Sequence, residues 1–89
     1  MPYIKPEDRK KIDIYNDYYT DALSVNSIDT AGEIQYAIAR IIKSYIERKG
    51  LNYQHCNDVM GALAGEQMEF YRRQVSPYED TKIEINGDV

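Results

Sequence analysis

The segment "TAGEIQYAIARIIKSYIERKG", residues 30–50, constrains this chain more than any other stretch. Thr30 and Glu33 have the Ser/Thr-x-x-Glu spacing of a capping box, which satisfies backbone N–H groups that a first helical turn leaves unpaired. Ile34, Ile38, Ile41, Ile42, Tyr45 and Ile46 then recur at helical spacing. Arg48, Lys49 and Gly50 supply terminal positive charge and a stop. At about 100° per residue, Ala37 to Ile46 spread apolar side chains over roughly 180°, against about 100° for a helix packed on one side. Such a helix needs cover from more than one direction. A chain of 89 residues buries only about two thirds of its unfolded surface. Part of the cover is therefore expected from a second subunit, in a homo-oligomer.

Two further helices flank this one. "KPEDRKKIDIYNDYYTDAL" opens with Pro6 in a first turn, followed by Glu7 and Asp8 where the helix dipole favours acids. Ile12, Tyr15, Tyr19, Ala22 and Leu23 continue it at helical spacing, and "SVNSID" is a polar loop. The third helix starts near Asn52, with Tyr53, Cys56, Val59, Met60, Leu63, Phe70 and Tyr71 on its apolar face. Gly61 and Gly65 cost helix propensity and leave room for another backbone, or are ordinary helix-crossing spacers. Ser76-Pro77-Tyr78-Glu79 reads as a new capping box after a break, and "KIEI" alternates like a strand before an Asn86-Gly87 turn with no return strand. The expected fold is all-α: a single domain, a three-helix bundle with helices over about 6–24, 31–49 and 52–75. A C-terminal turn and extended arm, 76–89, complete it.

Composition narrows function by exclusion. Eleven Lys/Arg against fifteen Asp/Glu give a net charge of −4, which opposes general nucleic-acid binding. No apolar run approaches the roughly 18 residues of a membrane helix, and "MPYIKPEDRKK" carries no signal core. The one cysteine, Cys56, permits no internal disulfide and fits a reducing cytoplasm. Adjacent on a helix, His55 and Cys56 point about 100° apart and cannot pair as imidazole and thiolate. Asp13, Asp17 and Asp21 form an acidic stripe better read as solvated than as a metal site. Glu66 and Glu69 share a helix face, but arginines lie within reach of each. No phosphate loop, dinucleotide fingerprint or nucleophile elbow is present. The expectation is a protein with no catalytic residue, metal or cofactor.

What remains is "YRRQVSPYED", residues 71–80. Arg73 lies four residues after Glu69, the favourable order for a helical ion pair. Arg72 has Met68 in that place. Guanidiniums, tyrosine rings and free N–H groups of a turn begun at Ser76 are the parts of an anion pocket. Arg72, Tyr78, Ser76, Arg73 and Tyr71 are the candidate ligand-binding residues, with Arg72 and Tyr78 ahead of Arg73. Internal neutralisation by Glu79 and Asp80 is the opposing reading.

"MPYIKPEDRKK", "GEIQYAIARII", "FYRRQVSPYEDTKI" and "INGDV" together resemble a family of small uncharacterised proteins of phages and prokaryotes. The resemblance spans most of the chain and is clearest in its C-terminal third. It carries over no activity, cofactor or catalytic residue. It implies an accessory or immune-evasion role in the host cytoplasm. The resulting expectation is non-enzymatic binding of a small anionic, nucleotide-like ligand, such as sequestration of a nucleotide signal. The alternative is a protein-interaction module that engages a host protein through its tyrosine-rich surface.

Overall fold

Thr30 and Glu33 close the start of the central helix as their spacing predicts. The Glu33 N–H donates to Thr30 Oγ1 at 3.1 Å, and the Glu33 carboxylate accepts from the Asp29 N–H and the Thr30 hydroxyl, each at 3.1 Å. This helix, α1, spans Ala31–Lys49. The computed structural model describes residues 4–8 and 25–89. Of the helix expected over 6–24, residues 6–8 are helical; the rest, with the Asp13, Asp17 and Asp21 stripe, lies outside the described residues.

Every regular element among the described residues is helical, so the chain is all-α. Its contacts gather into two compact units, residues 1–43 and 44–89, divided within α1. In the first unit, a short 3₁₀ turn, Val25–Ser27, occupies the predicted loop. Ala37 is the buried hydrophobic residue, 6% exposed, while Ile34, Ile38 and Ile41 on the same broad arc stay exposed. Among the described residues, these three side chains are left without the cover predicted for that arc.

The second unit begins with the last turn of α1. Gly50 ends that helix at φ 91°, a conformation that suits a residue without Cβ, and its N–H donates to the Ile46 carbonyl at 2.7 Å. Two residues later Asn52, extended at φ −154° and ψ 173°, caps the next helix by accepting the His55 N–H at 2.8 Å. From there the chain is helical without interruption. α2 covers Tyr53–Phe70, a π-helical turn covers Tyr71–Val75, and α3 covers Ser76–Asn86. Residues 53–86 thus make one helix about 51 Å long at ~1.5 Å per residue.

This corrects two expectations. The helix does not stop at Val75, and residues 76–86 are neither a new capped turn nor an extended arm. Elongating an existing helix needs only propagation, whereas a lone extended segment would have no partner strand. Four alternating residues, "KIEI", are too few to overrule that. Asn86-Gly87 is a helix end, not a hairpin: Gly87 has φ 85° and its N–H reaches the Ile83 carbonyl at 2.8 Å.

Candidate functional site

Pro77 explains the irregular turn before it. In an α-helix residue 77 would donate its N–H to the Arg73 carbonyl, but proline has none and its ring crowds that carbonyl. The helix answers by widening. The Ser76 N–H donates to the Tyr71 carbonyl, five residues back, while the Tyr71 N–H is shared between the Gln67 and Met68 carbonyls. Ser76 itself stays right-handed helical at φ −60° and ψ −48°, despite the proline that follows. The extra residue sets everything downstream about 100° back from its place in an unbroken α-helix.

On one side of this turn sits Glu69, its side chain 13% exposed between two arginines. Arg72 Nη2 donates to Glu69 Oε2 at 3.0 Å and Oε1 at 3.3 Å, and Arg73 Nε meets Oε2 at 2.8 Å. Desolvation pushes the Glu69 pKa up, but the hydrogen bonds and charges of Arg72 and Arg73 together outweigh it and hold the carboxyl below its usual range. Two guanidiniums against one carboxylate leave a local charge of +1. Both arginine side chains remain more than half exposed.

On another side, hydrogen bonding to the Glu79 carboxylate, then that group's charge, then desolvation and Asp80, raise the Tyr71 pKa. Eight residues of uninterrupted α-helix would put positions 71 and 79 about 80° apart; the inserted residue aligns them. Tyr78 packs differently: Lys82 Nζ lies 5.5 Å from its ring centroid.

The predicted site residues are therefore divided. Arg72 and Arg73 come together on Glu69, Tyr71 turns to Glu79, and Tyr78 engages Lys82 rather than the arginines. Ser76 offers no free helix N-terminus, because its N–H is already bonded inside a continuous helix. Arg72, with Met68 rather than an acid four residues before it, takes the acid three residues before it. That spacing is as visible in the sequence as the four-residue one.

A second cluster, not foreseen, ties the turn after α1. Tyr45 donates its hydroxyl to Asp58 Oδ2 at 3.3 Å, and Gln54 Nε2 donates to Oδ1 at 2.9 Å. His55 stands edge-on to the Tyr45 ring, 6.0 Å between centroids, with Nδ1 2.7 Å from the Gly50 carbonyl. A carbonyl only accepts, so Nδ1 carries the proton. Desolvation, then the charge of Asp58, raises the Tyr45 pKa. Cys56, beside this cluster, is a half-buried free thiol. Among the described residues no three His, Cys, Asp or Glu are grouped to hold a metal ion, and no helix is long and apolar enough to cross a membrane.

Fold and site together define an all-α protein whose polar clusters are built on one long, proline-adjusted helix and the turn that leads into it. The chain belongs to the family described as a domain of unknown function, DUF6899, which matches it over residues 1–89. No curated protein and no solved structure matches it.

Proposed function

We propose that this protein is a non-enzymatic protein-interaction module that binds through the apolar and aromatic face of its long helix. The observation that carries the reading is the exposure of Leu63, Phe70, Tyr78 and Ile85 along one helix, large side chains left in water among the described residues. Charged pairs such as Arg72–Glu69–Arg73 flank these residues and suit the polar rim of an interface. The test combines light scattering for self-association with affinity capture for other partners, using the full chain and a Phe70→Ser/Tyr78→Ser variant. Loss of association in the variant is expected; association of every kind surviving it intact would defeat the reading.

A second reading keeps the anionic ligand. The excess positive charge at Glu69, with guanidinium N–H groups not used by it, favours a phosphate-bearing ligand at Arg72 and Arg73. Sequestration of a nucleotide signal, in a phage-borne evasion role, would draw on this cluster. Thermal shift against mono-, di- and cyclic nucleotides checks it. Stabilisation abolished by Arg72→Ala together with Arg73→Ala is the expected result, and no stabilisation by any nucleotide removes it.

A further inference from the structure

The π turn also decides which residues of the long helix share a face. At about 100° per residue, Val59, Leu63, Glu66 and Phe70 fall within about 60° of arc. Counting out the one residue that the π turn adds, Tyr78, Lys82 and Ile85 fall within the same 60°. In an unbroken α-helix Lys82 would stand about 100° from Leu63 and the face would be broken. The result is one straight seam, Leu63, Glu66, Phe70, Gln74, Tyr78, Lys82, Ile85. Leu63 is 37% exposed, Phe70 52%, Tyr78 61% and Ile85 73%.

This seam is its own complement when reversed. The steps between its members are 3, 4 and 4 up to Gln74 and 4, 4 and 3 after it. An antiparallel copy centred on Gln74 therefore sets Leu63 on Ile85, Glu66 on Lys82, Phe70 on Tyr78 and Gln74 on Gln74. Aliphatic meets aliphatic, aromatic meets aromatic, and acid meets base twice. A parallel pair would put Glu66 on Glu66 and Lys82 on Lys82. Neither Glu66 nor Lys82 is in an ion pair among the described residues.

The geometry points to a second copy of this chain as the occupant of the seam: an antiparallel two-fold pairing of the long helices about Gln74, held in register by the Pro77-driven π turn. Two-fold symmetry presents the same patch from both sides, as this pattern requires. The inference rests on the interaction reading above and names the partner.

Charge reversal tests it in the full chain, with light scattering over a dilution series. Glu66→Lys alone and Lys82→Glu alone should each weaken the dimer about tenfold or more, since two symmetry-related pairs turn repulsive. Both changes in one chain should restore it. In a Cys56→Ser background, oxidation should join Gln74→Cys to itself and Leu63→Cys to Ile85→Cys, but not Leu63→Cys to itself. A dimer indifferent to charge reversal, or self-joining at Leu63→Cys, overturns the pairing. A chain that stays monomeric yet captures another protein through Phe70 and Tyr78 also overturns it and leaves the interaction reading standing.

Discussion

Replacing Pro77 by alanine tests the claim that one residue sets the register of the helix. Proline inside a helix costs about 3 kcal/mol relative to alanine. The π turn relieves part of that by giving the ring room and by sending the Ser76 N–H to Tyr71. What persists is chiefly one absent backbone hydrogen bond, about 0.5–1.5 kcal/mol. Alanine returns the N–H, so Pro77→Ala should stabilise the folded chain by about 0.5–1.5 kcal/mol. For a domain of this size that is about 4–8 °C in Tm for each kcal/mol. In the monomer the turn itself should revert to α, because the influence of Glu79 on the exposed Tyr71 is then a weak reason to keep the wider form. Urea and thermal unfolding followed by circular dichroism, over a concentration series, separate folding from association. NMR shows whether the Ser76 amide still bonds five residues back. Pro77→Ala should stabilise the helix and, by turning the seam about 100°, weaken self-association. A Pro77→Ala chain that keeps the π turn, or is less stable at the lowest concentration, refutes the reasoning.

Five other substitutions probe the long helix and the turn that leads into it. Asn52→Ala removes the cap on the His55 N–H and should cost about 1 kcal/mol, read from the urea midpoint. Gly61→Ala and Gly65→Ala should each gain up to about 1 kcal/mol, because nothing lies within 4 Å of an added Cβ. Gly50→Ala has the same open space but should lose about 1 kcal/mol at φ 91°. Destabilisation by Gly61→Ala would mean that a partner backbone packs there. The Glu69 pKa is depressed in the fold, so its contribution is present above the usual carboxylate range and is lost as pH falls through the folded value. The stability gap between the native chain and Glu69→Gln should therefore shrink from pH 7 towards pH 3 in urea unfolding; a constant gap contradicts the pairing.

What the sequence showed and what it hid follow from the range of each interaction. Thr30, Glu33, Gly50 and Asn52 act on backbone groups within four residues, so spacing and residue type sufficed to place both ends of α1 and the start of α2. The Glu69–Arg73 pair was legible for the same reason, and Glu69–Arg72 was equally so at three residues. The passage through Pro77 was not. A proline with Ser before it and Glu two residues after is a good helix start, and a helix can also absorb it by widening a turn. The choice depends on whether the helix on each side can continue, which no window of four residues reports. The Tyr45–Asp58 bond stayed hidden because it joins residues 13 apart across a turn whose path is set by Gly50 and Asn52.

The same irregular turn also decides how the charged and apolar features of "YRRQVSPYED" relate. In an unbroken α-helix, Tyr78 would stand about 80° from Phe70 and Glu79 about 80° from Tyr71. The inserted residue moves Tyr78 onto the line of Leu63 and Phe70, brings Glu79 beneath Tyr71, and leaves Glu69 gathering both arginines to one side. A basic cluster and an apolar seam are thereby kept on separate faces of one helix. An anion held by Arg72 and Arg73 and a second helix laid along Phe70 and Tyr78 do not compete for the same surface. Arg72→Ala with Arg73→Ala should accordingly leave dimerisation unchanged, and Phe70→Ser with Tyr78→Ser should leave nucleotide-induced stabilisation unchanged. If either double change removes both activities, the two faces are one site and the register assigned to the π turn is wrong.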